Sequence, residues 1–236
     1  MINSVSINES FLVEHCSDDL EVDDQTLLLI DEIWAGATQA NTQLFDGNVL
    51  AVMDATPDRL LTTLVPYRYF YAASTCTEVS SSLKLNIAAV SGALFGGNLL
   101  MAGQRAQFVT QHQGLWELVP SGSLTAQPGD KSIDYRQHLL EELQEEVGIS
   151  KSRVLSMQPF LLVFDELAHV YDVCCTISTL RAELERAVNE FKPNEYSSLE
   201  LHKIRDVQES MKSNHCSWIP TSVEIVNALA YQSRIP

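Results

Sequence analysis

The segment from Ser132 to Val147 constrains the fold more than any other part of this sequence. Its apolar side chains recur at i, i+1, i+4 and i+8 from Leu139, which is the spacing of one face of an α-helix. Gly148 follows directly, and glycine is the residue that most often ends a helix. The sequence therefore predicts a helix over 132–147. Strand-like apolar runs on both sides of it predict a mixed α/β fold.

The strand-like runs are short and are bounded by turn residues. The first two, 85–94 and 99–102, flank Phe95-Gly96-Gly97-Asn98 and predict a β-hairpin. Further strands are predicted at 115–119, 160–164, 169–177 and 199–204, and further helices at 180–188 and 221–231. Cys174 and Cys175 are adjacent in one of these strands, so their side chains are expected on opposite faces of the sheet.

Residues 1–80 are interpreted as an N-terminal extension packing on the sheet, and residues 81–236 as the main domain. An acidic segment runs from Ser17 to Asp31, and Asp46-Gly47 predicts a turn before a strand at 49–53. The run 64–73 is rich in aromatic residues and predicts another strand, on which Tyr67, Tyr69 and Tyr71 would share one face. That face is interpreted as core or interface, with an aromatic ligand wall as the second reading. The polar stretch 75–82 is the best linker candidate.

The net charge of the chain restricts the classes of partner that it can bind. Fifteen basic and 31 acidic residues give a formal net charge of −16, and no basic stripe is present. Such a protein repels a phosphate backbone, so nucleic acid is not an expected partner. A phosphorylated ligand would need a metal ion to hold it. The hydrophobic content of 45% indicates a globular chain with a real core.

The five cysteines and the first residues predict a cytoplasmic location. The cysteines are odd in number and show no zinc-type spacing, so they are interpreted as reduced, mostly structural thiols. Residues 1–10 carry neither the basic nor the apolar part of a signal peptide. No apolar run approaches the ~20 residues of a membrane span, so no membrane partner is expected.

The polar face of the 132–147 helix carries a cluster of carboxylates. Glu142, Glu145 and Glu146 lie at i, i+3 and i+4, and Glu141 lies beside them. Like charges at this spacing cost about 0.2–0.5 kcal/mol per pair, and acids near a helix carboxyl end oppose its dipole. A hard divalent cation would relieve both costs, because Mg²⁺ prefers carboxylate oxygens. The plain alternative is a solvated acidic face on an acidic protein.

The string Glu142-Leu143-Gln144-Glu145-Glu146-Val147-Gly148-Ile149 resembles the core of the Nudix box, whose pattern is Gly-x5-Glu-x7-Arg-Glu-U-x-Glu-Glu-x-Gly-U with U apolar. The upstream string Trp116-Glu117-Leu118-Val119-Pro120-Ser121-Gly122 resembles the strand and proline–glycine loop that lead into such a box. The resemblance covers roughly residues 85 to 205. It implies an α/β/α sandwich with a mixed central sheet, here with an N-terminal extension.

The sequence departs from the box at two positions. Glu141 replaces the arginine, and Gly129-Asp130 stands for the usual Gly-Glu turn, while the spacing back to Gly122 is five residues too long. In the family the arginine and the loop glutamate hold the helix against the loop. Here Lys131 or Arg136 would have to bridge two acids. These departures bear on catalysis more than on fold.

The resemblance implies a Mg²⁺-dependent pyrophosphohydrolase, with Mn²⁺ as an alternative ion. Its ligand would be a nucleoside diphosphate linked to another group, and a nucleoside monophosphate would be released. The implied metal ligands are Glu142, Glu145, Glu146 and the carbonyl of Ser121. The implied catalytic residues are Glu145, Glu142 and a distal base, for which the candidates are Glu166, Asp172 and Glu195. The candidate substrate-binding residues are Arg105, Trp116 and Gly122, although Arg105 could equally be a solvated cation and Trp116 a core residue.

Two further hypotheses stay open at this stage. A weaker resemblance of the region from Trp34 to Gly47 to the branch of UDP-sugar hydrolases suggests a nucleotide sugar as substrate. The departures at Glu141 and Asp130 favour a nucleotide-binding or regulatory module without turnover. An isomerase-type relative would need a cysteine and an acid facing the substrate, and neither Cys76 nor Cys174 can be placed there. A homodimer, common among relatives, is left open.

Overall fold

The computed structural model describes residues 1–16, 18, 20–42, 44–109, 111–127, 129–214 and 217–232. The strands in these residues are β1 (Ile2–Ser6), β2 (Leu12–His15), β3 (Asn48–Ala55), β4 (Arg59–Pro66), β5 (Ile87–Gly96), β6 (Leu99–Arg105), β7 (Trp116–Leu118), β8 (Ser121–Ser123), β9 (Val154–Asp165), β10 (Val170–Thr179) and β11 (Tyr196–Lys203). The helices are α1 (Asp24–Ala40), α2 (Tyr67–Thr75), α3 (Thr77–Leu83), α4 (Tyr135–Glu142), α5 (Arg181–Glu190), α6 (Ile204–Ser213) and α7 (Pro220–Gln232).

Strand β5 is the centre of one mixed sheet. It pairs in parallel with β10 and antiparallel with β3, β6 and β8. On one side the order continues through β10 and β9 to β1, and on the other through β3 and β4 to β2. Strand β6 carries β7 and β11, so the sheet divides beyond the β5–β6 hairpin. The predicted hairpin is confirmed, with Phe95 opposite Leu100.

Helices cover both faces of this sheet and make an α/β/α sandwich, which confirms the predicted fold class. One hydrophobic cluster joins α4 and α5 to the sheet through Leu139, Leu143 and Leu184. Another joins α6 and α7 to the opposite face through Val207, Met211 and Val226. Cys174 and Cys175 belong to different clusters, so these neighbours do point to opposite faces.

The strand predicted at 64–73 is confirmed only up to Pro66 and is wrong beyond it, and the linker predicted at 75–82 is wrong. The chain leaves β4 at Pro66 and forms α2, and 75–82 lies largely in α3. The side chain of Asp46 accepts a hydrogen bond from the backbone N–H of Arg68 at 2.9 Å and pairs with its guanidinium at 2.6 Å. This remote cap satisfies the amino end of α2 and favours helix over strand.

The helical turn also separates the three tyrosines that a strand would have aligned. Tyr67 and Tyr71 lie one turn apart and both contact Trp34 of α1, with ring centroids 6.1 and 5.6 Å away. Tyr69 instead lies under the guanidinium of Arg68, 5.6 Å from its ring centroid. The spacing at 67 and 71 was therefore the i, i+4 pair of a helix rather than the alternation of a strand.

The first 80 residues contribute four strands to the sheet, so they extend it as well as cover it. Strand β1 pairs with β9 at one edge, and β3 meets β5 at a single register pair, Ala51 opposite Ile87. Helices α1 to α3 close a third hydrophobic cluster around Ile30, Phe70 and Ile87. A domain boundary at residue 80 stays a prediction.

In the residues that the structure describes, no helix is both long and apolar enough to cross a membrane. The cysteines at 16, 76, 174 and 175 are free, and Cys216 lies outside the described residues. Burial raises the pKa of the Cys175 thiol to about 12 and that of Cys174 well above its ordinary value. Both buried thiols are therefore inert at neutral pH.

Candidate active site

The predicted helix over 132–147 is confirmed, but it changes form at its carboxyl end. Helix α4 begins at Tyr135, capped by the side chain of Asp134, and continues into a π-helical turn, Leu143–Val147. Gly148 ends the turn with a φ of +75°, as the sequence predicted. Single π-turns widen a helix and are frequent at functional sites. The carboxylates of the candidate site lie at this widened end.

The π-turn directs Glu146 inward, where it is 6% exposed, while the neighbouring Glu145 is exposed. A carboxylate oxygen of Glu146 accepts a hydrogen bond from the backbone N–H of Ser121 at 3.0 Å, and the hydroxyl of Tyr196 lies 3.3 Å from the other. Burial raises the pKa of Glu146 well above its ordinary value, and the nearby charge of Glu117 raises it further. The helix end is thus joined directly to the loop before β8.

Glu117 of β7 is a site residue that the sequence reasoning missed. One of its carboxylate oxygens accepts a hydrogen bond from the Ser121 hydroxyl at 2.9 Å. The other lies 3.1 Å from the Tyr196 hydroxyl and 3.2 Å from Nη1 of Arg105. A charged residue in the middle of an otherwise apolar three-residue strand was the signal that could have found it.

Arg105 lies at the site, where its guanidinium is already paired with two carboxylates. Besides Glu117, it pairs with Glu195 at 3.5 Å, and its guanidinium lies 5.7 Å from the ring centroid of Tyr196. Its side chain is only 14% exposed. Of the two readings left open by the sequence, a solvated cation is excluded, and contact with a ligand stays a prediction.

Gly122 and Glu142 approach each other closely at the mouth of the site. A Cβ atom added to Gly122 would overlap the side chain of Glu142, with Cγ at 2.8 Å and the carboxylate closer still. Burial raises the pKa of Glu142 to about 7, and the charges of Glu145 and Glu195 add to the effect. The missing side chain at 122 is what lets this carboxylate reach the loop.

A cavity of about 290 Å³ opens over these groups. Of the predicted site residues, it is lined by Glu142, Ser121, Gly122 and Arg105, together with the distal candidates Asp172 and Glu195. The remaining predicted residues lie elsewhere. Glu145 and Glu146 border a second cavity of about 210 Å³. Trp116 packs against Trp218 at a centroid distance of 6.0 Å, and Glu166 pairs with the amino group of Met1 at 3.2 Å.

Asp172 is a buried carboxylate on the floor of this cavity. The hydroxyl of Ser91 donates to one oxygen at 2.9 Å, and the hydroxyl of Thr221 donates to the other at 2.8 Å. Burial raises its pKa to about 6, and the two hydroxyl donors partly offset that rise. The carboxylate is therefore held in one orientation.

A comparison with solved structures finds proteins with a similar fold. The protein DR0079 from Deinococcus radiodurans superposes with a TM-score of 0.53, covering 77% of this chain and 98% of that one at 13% identity. Such a likeness shows the fold alone. Within that fold, the residues that resemble the Nudix box form the helix end that meets the Ser121–Gly122 loop. The chain has the Nudix fold.

Two other solved structures of this fold have lower scores. A NUDIX hydrolase from Alicyclobacillus acidocaldarius gives a TM-score of 0.43 at 12% identity, over 60% of this chain and 90% of that one. A mutT/nudix family protein from Listeria innocua gives 0.42 at 11% identity, over 62% and 93%. No family model matches the sequence, and no curated protein does.

The two departures from the Nudix box do not form the bridge that was predicted for them. Asp130 accepts a hydrogen bond from the backbone N–H of Gln127 at 2.8 Å and closes its own turn. Glu141 accepts from the side chain of Gln137 at 2.8 Å, and Arg136 donates to the carbonyl of Glu9. In this Nudix fold the helix is held to the loop by Glu146 and Ser121 instead.

The donor set of the site suits a hard divalent cation. Besides burial, the charge of Glu195 raises the pKa of both Glu142 and Glu146, and the charge of Glu117 raises that of Glu146. Arg105 pairs with Glu117 and Glu195. Among the described residues, no three acidic, histidine or cysteine side chains are already arranged around a common point as metal ligands. Carboxylate oxygens with excess negative charge fit Mg²⁺ or Mn²⁺ in kind, and binding would require Glu142 and Glu146 to reorient.

Proposed function

We propose that this protein is a divalent-cation-dependent pyrophosphohydrolase. It cleaves the diphosphate of a nucleoside diphosphate linked to another group, for which a sugar is the first choice, and releases a nucleoside monophosphate. The observation that carries the proposal is the meeting of Glu142 and Glu146 with the Ser121–Gly122 loop beside a 290 Å³ cavity. An acidic site in a protein of charge −16 holds a diphosphate only with a cation between them.

The side chains at this end of the cavity have different roles. Glu142 and Glu146 would hold the cation, with the carbonyl of Ser121 as a further ligand. Glu145, which is exposed and borders the second cavity, would join them by turning its side chain. When bound, the cation neutralises the diphosphate, polarises phosphorus and orients a water molecule. The hydroxyl of Tyr196 donates a hydrogen bond to Glu146 and fixes the position of this carboxylate.

Glu195 is the distal base that the geometry favours. Its side chain lines the cavity and is 60% exposed, so a water molecule can reach it. Asp172 also lines the cavity, but it lies opposite Ala89, two residues along β5 from Ser91, the residue paired with Ser121. Glu166 does not line the cavity. Removal of a proton from the attacking water is therefore assigned to Glu195.

A substrate panel tests the proposal. Purified protein with Mg²⁺ is incubated with nucleotide sugars, ADP-ribose, dinucleoside polyphosphates and nucleoside triphosphates, and monophosphate release is measured. At least one compound is expected to turn over, and Glu142→Gln and Glu145→Gln are each expected to lower kcat/KM by at least about 100-fold. Glu141→Gln is the matched control, since that exposed carboxylate binds Gln137 on the same helix, and we expect a change of about twofold or less.

A nucleotide-binding module without turnover is the second candidate. It is favoured by Glu141 in place of arginine and by carboxylates that are not yet arranged around a cation. Nucleotide binding with no monophosphate released from any compound in the panel would establish it and overturn the first proposal.

A further inference from the structure

Alternate side chains along strand β5 face the cavity. Ile87, Ala89 and Ser91 all line it. At about 3.3 Å per residue, the distance from Ile87 to Ser91 along the strand is about 13 Å. A ligand that fills the cavity therefore meets different groups in order along this strand.

The acidic end of the cavity lies beside Ser91. In the pairing of β5 with β8, Ser91 is opposite Ser121 and Val90 is opposite Gly122. Glu142 contacts Gly122, so this end is the one to which the diphosphate is assigned.

The opposite end is aromatic and comes from the N-terminal segment. Tyr67 and Phe70 of α2 line the cavity, and Phe70 belongs to the same hydrophobic cluster as Ile87. Val170 of β10 is opposite Ile87 in register and also lines the cavity. The ring of Trp34 packs edge-on against Tyr67, with ring centroids 6.1 Å apart. The buried carboxylate of Asp165, opposite Val170, also lines this end and accepts hydrogen bonds from two backbone N–H groups. The other side chains here are aromatic and aliphatic, which suits a flat ring.

Asp172 lies between the two ends. It is opposite Ala89 in the parallel register of β5 and β10, midway between Ile87 and Ser91. Its two oxygens are fixed by Ser91 and Thr221, and each oxygen keeps one further acceptor position. A fixed carboxylate with free acceptor positions is suited to the paired hydroxyls of a ribose.

We propose that α2 forms the nucleobase subsite, so that base, ribose and diphosphate lie in that order along β5. The base stacks on Tyr67 with its edge against Phe70, the ribose hydroxyls donate to Asp172, and the diphosphate reaches the Glu142 end. Only the assignment of the diphosphate end rests on the proposed function. The inference gives the N-terminal segment a direct part in selecting the substrate.

Binding of nucleoside monophosphates tests the base subsite without any turnover. AMP, GMP, UMP and CMP are titrated into the full-length protein by calorimetry. Because a base–aromatic stack contributes about 1–3 kcal/mol, Tyr67→Ala is expected to weaken the tightest of them by about 5- to 150-fold. Tyr71→Ala is the matched control: it removes the same ring from the same helix and the same Trp34 contact, but Tyr71 does not line the cavity. Tyr67→Leu keeps apolar volume against Trp34 and serves if the alanine variant unfolds.

The ribose contact is tested with 2′-deoxy and 3′-deoxy monophosphates of the same base. The wild-type protein is expected to bind the ribose form more tightly than either deoxy form. In Asp172→Asn that preference is expected to shrink, because the amide keeps one acceptor and turns the other into a donor. An equal preference in both proteins would remove Asp172 from the subsite.

The outcomes separate this inference from the proposed function. Tyr67-dependent nucleotide binding with no hydrolysis supports the subsite and overturns the hydrolase. Hydrolysis with an unchanged KM and unchanged monophosphate binding in Tyr67→Leu supports the hydrolase and overturns the subsite. Equal losses in the Tyr67 and Tyr71 variants, or no monophosphate binding to the wild type at millimolar concentration, also overturn the subsite.

Discussion

Gly122 lies so close to Glu142 that a methyl group has no room between them. An added Cβ would be 2.8 Å from Cγ of Glu142 and closer still to the carboxylate, whereas ordinary contacts begin near 3.4 Å. The backbone at Gly122 is not in the left-handed region, and the three atoms nearest to the added methyl group all belong to that side chain. In Gly122→Ala the flexible glutamate must move away from the loop.

The size of the effect follows from that displacement. Restoring normal contacts moves the Glu142 carboxylate by about 1 Å or more, and a misplacement of this size in a catalytic site costs about 100-fold in rate. That factor corresponds to about 2.7 kcal/mol of transition-state stabilisation. Because a side-chain terminus gives way rather than the backbone, we expect the unfolding free energy to fall by less than about 1 kcal/mol.

The assay is kcat/KM for the best substrate of the panel, with the unfolding free energy of each variant measured by urea denaturation. Gly36→Ala is the control, since nothing lies within 4 Å of its added methyl group and alanine favours the interior of α1 by up to about 1 kcal/mol. Adding Gly122→Ala to Glu142→Gln is expected to cause little further loss, because both act on one group. Full activity in Gly122→Ala, with the variant folded, would refute the assigned place of Glu142.

Three other predictions follow from the same site. Mg²⁺ at about ten times its dissociation constant is expected to stabilise the wild type by about 1.4 kcal/mol and Glu142→Gln much less; thermal unfolding that ignores Mg²⁺ would argue against a cation site. Tyr196→Phe removes the hydroxyl that contacts Glu117 and Glu146 and is expected to cost about 2 kcal/mol in urea denaturation at pH 7; an unchanged midpoint would contradict this. Burial raises the pKa of Asp172 from 3.8 to about 6. The protonated side chain therefore stabilises the folded state, fully so below the unfolded pKa of 3.8. This contribution of about 3 kcal/mol is lost as the pH rises through 6. The stability of Asp172→Asn relative to wild type should therefore rise by about 2 kcal/mol between pH 4 and pH 7, and a pH-independent difference would disprove the linkage.

The box helix shows how far local sequence information reaches. Its apolar spacing and Gly148 predicted the helix and its end, because both depend on contacts within a few residues. The π-turn that directs Glu146 inward was not predictable, since it depends on the hydrogen bond from Ser121, 25 residues away. The same pattern of glutamates would have been compatible with a regular helix on the surface.

Helix α2 shows the opposite case, in which local information misled. Alternating tyrosines favoured a strand, but the acceptor at the amino end of the helix is Asp46, 22 residues before Arg68. The ring contacts with Trp34 lie on another element. Such contacts form only after the chain has folded back, so no window of sequence reports them.

The sequence by itself determined the chemistry of the candidate site: the carboxylates of the box, the strand and loop that lead into it, and the acidity that calls for a cation. Those features are properties of residue type and short-range spacing. Tertiary structure alone decided which carboxylates share a cavity, that Glu117 and Arg105 pair while Glu166 lies at the amino terminus, and that α2 closes the far end. These contacts follow from strand register and helix packing. Both bring together residues that are far apart in the sequence, so a local residue pattern does not predict them.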